Sequence, residues 1–171
     1  PQTGSSPNAL WRLRASRAAK GIFPRNLLDK QSYWTIIGVP DDDREAIINE
    51  EGQIEVDRRG FSIEPFIVSD GKLLTWADGR HEQSLRDGWL PMPRVVRTHE
   101  MLELTIDALA AGEGAKSQLH AAYTIRNTSA ERQTATLALA VRPFQVLPPW
   151  QDLNITGGWA PLKSVVAERG S

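Results

Sequence analysis

The stretch LELTIDA at residues 102–108 decides the fold class of this chain. Its apolar side chains occupy every second position and alternate with polar ones, which is the period of a β-strand with one dry face and one wet face. The stretches LHAAYTI at residues 119–125 and ATLALAV at residues 135–141 repeat this pattern. Each such strand buries only one face, so two layers are needed to cover them all.

Glycine-containing pairs between the shorter apolar runs indicate tight connections. The pair Glu51-Gly52 lies between two of these runs, and Asp70-Gly71 lies between two more. An acidic residue followed by glycine is typical of a β-hairpin turn. Residues 127–130 likewise predict a hairpin between the last two long strands. We therefore predict a mainly β chain, an antiparallel β-sandwich of about nine or more strands.

A short helix is predicted before the first strand, over residues 8–20. Asn8 is a suitable N-cap, Leu10 and Leu13 lie about one turn apart, and Gly21 stands where the helix would end. Two roles fit such a basic helix: an amphipathic anchor for a membrane or partner, or a connecting helix that lies on a neighbouring domain. We favour the connecting helix, because the apolar stripe is too thin for strong membrane binding.

Length and charge exclude several classes of protein. The chain has 171 residues, of which 40% are hydrophobic and 24% charged, and it contains no cysteine, so it is predicted to form a soluble globular domain without disulfides or thiolate metal sites. The first 30 residues carry a local charge of +5 and the remainder carries −6. Because the folded part is acidic, no nucleic-acid partner is expected. No apolar run is long enough to span a bilayer, so no membrane partner is expected either.

We predict two parts in the chain: a basic N-terminal helix and linker over residues 1–30, and a β-sandwich domain over residues 31–171. The chain does not start with Met, and no closing element is evident at its end. We therefore expect it to be a fragment of a longer multidomain chain, with its localisation undetermined because a targeting signal could lie upstream.

The side chains that most often carry chemistry are scattered along the chain. His81, His99 and His120 lack the spacing of paired ligands, so neither a metal nor another cofactor is expected. There is no nucleophile elbow and no cysteine nucleophile. Glu64 and Asp78 are the carboxylates least like ordinary exterior charge, and we favour a buried, hydrogen-bonded role for each over a catalytic one.

Tryptophan is the more informative residue type. Four of the six tryptophans lie in or beside predicted loops: Trp76, Trp89, Trp150 and Trp159. An indole ring offers a flat apolar surface with one hydrogen-bond donor, which suits a sugar ring. Core packing is the alternative, and for any single tryptophan it is the one we favour.

Four segments resemble a bacterial family: YWTIIGV at 33–39, SIEPF at 62–66, LLTWAD at 73–78 and RPFQV at 142–146. The family consists of large proteins labelled as coagulation factor five/eight type C (discoidin) domain proteins. About residues 22–166 are similar to their β-supersandwich, a galactose-mutarotase-like domain. That domain precedes an (α/α)6 toroid in carbohydrate-active enzymes such as disaccharide phosphorylases and glucoamylase-like hydrolases.

The resemblance implies an accessory role in a glycoside hydrolase-like or phosphorylase-like protein. In such enzymes the general acid and base lie on the toroid, so no catalytic residue and no activity are expected in this segment alone. The domain would pack on the toroid and contribute to its sugar cleft, with carbohydrate and the toroid as its partners. By motif position, the carbohydrate-binding residues would be Trp76, Asp78, Arg142, Gln145 and Trp150.

Two other functions stay open, a carbohydrate-binding module that uses exposed tryptophans and a purely structural assembly domain. The role of Arg142 is open as well. The prolines that follow the last strand resist regular pairing, so Arg142 and Gln145 could point at a neighbour or ligand. Arg142 could instead be buried and paired with Glu64, and this ion pair is the interpretation we favour.

Overall fold

The computed structural model describes residues 7–147, 158–160 and 162–166. It confirms the predicted fold class: ten strands form two antiparallel sheets, and one short α-helix precedes them. The strands are β1 Trp34–Ile37, β2 Ala46–Asn49, β3 Ile54–Glu55, β4 Ser62–Ser69, β5 Lys72–Leu74, β6 Arg80–Arg86, β7 Leu90–Thr98, β8 Leu102–Ala111, β9 Gln118–Asn127 and β10 Ala135–Arg142.

The two sheets pack around one apolar core. The six-stranded sheet has the order β1-β2-β3-β4-β10, with β5 also paired to β4, and the four-stranded sheet has the order β6-β7-β8-β9. Ile48 and Ile67 from the first sheet are fully buried with Leu104 and Ile106 from the second. The alternation in β8 therefore has the predicted cause, burial of every second side chain between the layers.

The predicted hairpin at residues 127–130 is wrong. Strand β9 pairs with β8, whereas β10 pairs with β4 in the other sheet, so the connection crosses between the layers. An alternating pattern specifies which face of a strand is buried but not which strand lies beside it. Among the described residues, the crossing leaves β9 and β10 as edge strands, one in each sheet, and a common groove is lined from both of them.

The hairpin at Asp70-Gly71 is confirmed, since β4 and β5 pair across it and both turn residues have positive φ. The pair Glu51-Gly52 also connects two paired strands, β2 and β3. The patterns had identified no strand over residues 80–98, where β6 and β7 form. All but one of the side chains of β6 are polar, and β7 contains Pro91 and Pro93, which obscures its alternation.

The N-terminal helix, α1, covers Pro7–Arg17, so it ends earlier than predicted and Asn8 lies inside it instead of capping it. A 3₁₀ turn follows at Arg25–Leu28. The indole of Trp11 meets the ring of Phe144 edge-on, with the centroids 5.1 Å apart, so the helix packs on the chain's own domain. Among the residues that the structure describes, no helix is long and apolar enough to cross a membrane. The boundary at residue 30 stays a prediction.

Candidate functional site

The outer face of the six-stranded sheet carries an unusual set of polar side chains. Arg142 on β10 lies opposite Ser62 on β4, and strand alternation places Glu64 and Phe66 on this same face, away from Ile67 in the core. Residues 21–28, which we call the covering segment, lie against this face. A face that would otherwise meet water is therefore closed by the chain itself.

Arg142 connects the covering segment to the sheet. Its Nη1 donates hydrogen bonds to Glu64 Oε2 at 2.9 Å and to the carbonyl oxygen of Ile22 at 2.6 Å. The guanidinium carbon lies 5.4 Å from the ring centre of Phe23 and 4.9 Å from that of Phe144. The structure thus contains the favoured Arg142–Glu64 ion pair, and aromatic faces add cation–π contacts around it.

A second arginine holds the covering segment at the end of β2. Arg25 forms ion pairs with both Glu50 and Glu51, and its Nη2 lies 3.4 Å from Nε2 of His81. Its guanidinium carbon also lies 5.5 Å from the ring centre of Trp76. Glu50 and Glu51 follow β2, whereas Trp76 lies in a 3₁₀ turn and His81 lies in β6. Because these partners of Arg25 are far apart along the chain, no spacing in the sequence indicates that they meet.

Three of the predicted carbohydrate-binding residues, Trp76, Arg142 and Gln145, lie at the covering segment. Trp76 is only 6% exposed, and its indole N–H donates to the carbonyl oxygen of Phe23 at 3.0 Å. Gln145 is 3% exposed, and its backbone carbonyl oxygen accepts a hydrogen bond from Asn26 Nδ2 at 3.1 Å. Together with Arg142, these residues surround the covering segment.

Asp78 has a local role in the same region. Its Oδ2 accepts hydrogen bonds from the Thr75 amide at 2.7 Å and the Thr75 hydroxyl at 2.6 Å, which closes a capping box around the 3₁₀ turn Trp76–Asp78. Trp150 lies outside the described residues. The assignment of these five residues to a carbohydrate site stays a prediction.

Burial shapes the electrostatics of the site. Desolvation raises the pKa of Glu51 to about 7 against the opposing charge of Arg25, and it raises the pKa of Glu64 to about 7 against that of Arg142. Burial also lowers the pKa of His81, and the nearby Arg25 charge acts in the same direction. Carboxylates with pKa values near neutrality are suited to general acid–base chemistry when a substrate can reach them.

Arg97 is the deepest charge of the group. It lies opposite Leu104 on β8 and therefore points between the sheets, where its Nη1 donates to the carbonyl oxygen of Pro65 at 2.7 Å. Its Nε and Nη2 have no hydrogen-bond partner among the described residues. Desolvation lowers the pKa of Arg97, and the charges of Glu64 and Glu51 oppose that shift. The carboxylates of Glu51 and Glu64 thus have the positive charge of Arg97 near them, on the core side of the sheet.

One group of side chains has the spacing of metal ligands. Ligand atoms of Glu50, Glu51 and His81 all lie within 4.8 Å of one another. An imidazole with two carboxylates is a donor set that zinc accepts. Arg25, however, already forms ion pairs with both carboxylates, and a cation in that position repels a metal ion. The arrangement fits an arginine-centred ion-pair network better than a metal centre.

No protein-family model, curated protein or solved structure matches this chain. The resemblance to discoidin-labelled and galactose-mutarotase-like proteins therefore stays a prediction. The geometry shows a network of ion pairs around Arg25 and Arg142, which residues 21–28 of the same chain cover.

Proposed function

We propose that the chain is a non-catalytic accessory β-sandwich domain of a carbohydrate-active, glycoside hydrolase-like or phosphorylase-like multidomain protein. In this role it packs on a helical toroid and contributes to the toroid's sugar cleft. One observation carries the non-catalytic part of the proposal: the carboxylates with the most suitable pKa values are paired with arginines and covered by the chain itself. The carbohydrate part is supported by the sequence resemblance.

The geometry of the carboxylates explains why turnover is not expected. Glycoside hydrolysis requires two carboxyl groups on either side of a bound sugar, with room for the substrate between them. The side chains of Glu51 and Glu64 are 3% and 5% exposed, and each is in an ion pair with an arginine. A substrate would have to displace the covering segment before it reached either group. We therefore assign Glu51 and Glu64 a role in the stability of the fold and not in catalysis.

Activity assays on the isolated chain test this proposal. We expect no hydrolysis of aryl glycosides and no phosphorolysis of disaccharides above the rate in buffer. Turnover that disappears in Glu51→Gln or Glu64→Gln, with the circular dichroism spectrum unchanged, would contradict it. Turnover that survives both substitutions but is lost on further purification comes from a contaminating enzyme, whereas turnover that persists in the pure chain would also contradict the proposal.

A carbohydrate-binding module is the second candidate, and one observation favours it. Trp89 is 72% exposed in the tight turn between β6 and β7, where Asp87 and Gly88 both have positive φ. An exposed indole on such a turn can offer its flat face to a sugar. Titration of soluble oligosaccharides with tryptophan fluorescence detection tests the idea, with Trp89→Ala expected to abolish the response. Leu73→Ala, which removes another exposed apolar side chain, is the matched control.

A further inference from the structure

In the part of the chain that the structure describes, the sandwich is open along the side where β9 and β10 end the two sheets. Leu139 and Val141 on β10 lie opposite Pro65 and Ile63 on β4, on the same face as Leu137, which packs against the core, yet they are 46% and 45% exposed. These side chains point between the sheets but no described strand covers them. A sandwich normally buries residues on this face.

The other wall of the opening comes from β9. Leu119 and Tyr123 pack against the core, while Ala121 on the same face is exposed. With Leu139 and the neighbouring β3 and β4 residues, they line an apolar groove of about 600 Å³. The opening is therefore a continuous surface contributed by both sheets, and not an isolated exposed side chain.

Both edge strands lack the charges that usually protect an edge. No charged residue occurs at positions 118–125 of β9 or at positions 135–141 of β10. The opposite edge of the four-stranded sheet, β6, presents Arg80, Glu82 and Arg86 to solvent. Charged residues on an edge strand oppose pairing with another chain, and their absence permits it. One edge of the same sheet is thus protected and the other is not.

We propose that the open side is a self-association surface, on which a second copy of this chain pairs antiparallel along β9 and covers the apolar groove. This inference does not depend on the proposed function. In a two-fold interface each strand meets its own sequence, so any charge near the axis would face itself. The first eight of the ten residues of β9, positions 118–125, carry no charged side chain and meet that condition.

The sequence of β9 is compatible with such pairing. If the axis passes at Ala122, the only charged side chain of the strand, Arg126, lies opposite Gln118 of the second copy. Arg126 is already paired with Glu103 at 2.9 Å on the outer face of the sheet. Pairing would therefore bring no like charges together, and it would satisfy the unpaired backbone groups along the edge of β9.

Analytical ultracentrifugation of the full 171-residue chain over a wide range of concentrations tests the proposal. We expect a reversible dimer. Ala122→Lys on the exposed face of β9 should weaken dimerisation at least about tenfold, because the axis passes at this residue and the two lysines would lie directly opposite each other. Ser84→Lys on the exposed face of β6 is the matched control and should leave the dimer unchanged.

Two results would overturn the proposal: a monomer at every concentration, or equal effects of Ala122→Lys and Ser84→Lys. If Ala122→Lys fails to fold, hydrogen exchange on the unmodified chain decides the question. We then expect the amides of β9 to become more protected as concentration rises, while those of β6 do not change. Protection that is independent of concentration in both strands would exclude self-association through β9.

Discussion

The outer face of the six-stranded sheet and the side that carries β9 and β10 differ in how their apolar and polar groups are covered. On the outer face, the covering segment is held by charged groups, each with a defined partner, such as Arg25 with Glu50 and Glu51. On the open side, apolar side chains are half exposed and charges are missing. Paired charges specify one arrangement, whereas an uncharged edge accepts any strand of suitable shape.

The largest effect is expected from Arg25→Ala on the covered side. The substitution leaves Glu50 and Glu51 without their cation and removes the contact with the Trp76 ring. Breaking a buried ion pair by removing one partner typically costs about 3–5 kcal/mol. Denaturant unfolding of the variant and the unmodified chain would measure this loss in the free energy of unfolding.

Arg94→Ala is the matched control for this prediction. Arg94 also makes a two-point ion pair, with Asp107 at 2.6 and 3.0 Å, but both side chains are substantially exposed. Such surface pairs contribute about 0.2–1 kcal/mol. Similar losses in the free energy of unfolding for Arg25→Ala and Arg94→Ala would show that the covered ion pairs stabilise the fold no more than a surface pair does. The contrast between the two sides of the molecule would then be wrong.

The next largest effect concerns the entry to the covering segment at Gly21. Its φ is +90°, and a Cβ added there would lie 1.9 Å from Thr75 Oγ1, in the turn that Asp78 caps. Gly21→Ala should therefore destabilise the fold by about 2–4 kcal/mol, through backbone strain and overpacking. Gly88→Ala is the control: its φ is +79° and nothing lies within 4 Å, so about 1 kcal/mol is expected. Equal thermal shifts in the two variants would contradict a close contact at Gly21.

The fold class could be predicted from the sequence because alternation records burial directly, as it does in β8. The pairing of β10 with β4 could not, since residues 135–141 would fit beside several strands equally well. The polar composition of β6 hid an edge strand that pairs with β7 and has no fully buried side chain. Local patterns thus indicate which face of a strand is dry, and only the three-dimensional arrangement determines which strands are neighbours.

The candidate site was predicted in part. The Arg142–Glu64 pair followed from two residue types that both needed a buried partner, and the structure contains it. Arg25, Glu51 and Arg97 were missed, because an isolated Arg or Glu in a sequence resembles ordinary surface charge. Trp76, Arg142 and Gln145 all form hydrogen bonds with the covering segment, and their assignment to a carbohydrate site stays a prediction.

A pH-dependent contribution to stability is expected from the covered carboxylates. Burial raises the folded-state pKa of Glu51 from 4.5 to about 7, so the folded chain binds more protons than the unfolded chain between these values. The contribution of Glu51 to stability is therefore full below pH 4.5 and is lost as the pH rises through about 7. Glu51→Gln removes this titration.

Unfolding experiments at pH 5 and pH 8 test the prediction. The free energy of unfolding of Glu51→Gln relative to the unmodified chain should rise by about 1–3 kcal/mol from the lower to the higher pH. The variant is compared with the unmodified chain at each pH because His81 titrates in both. The pKa of His81 is lowered, so its contribution to stability is lost as the pH falls. Glu64→Gln should show the same trend, and a difference that does not vary with pH would contradict the assignment.

The smallest effect is expected on the open side, from Leu139→Ala. Leu104→Ala, in the sealed core, should cost about 2–5 kcal/mol, whereas Leu139 is 46% exposed and should cost about 1 kcal/mol in dilute solution. If a second copy covers the groove, the cost of Leu139→Ala should grow with chain concentration, because the side chain is buried only in the dimer. The cost of Leu104→Ala at a matched dimer fraction should not change, since Leu104 is fully buried in one copy. Chemical unfolding at low and high concentration would distinguish a side that is only exposed from one that is completed by association.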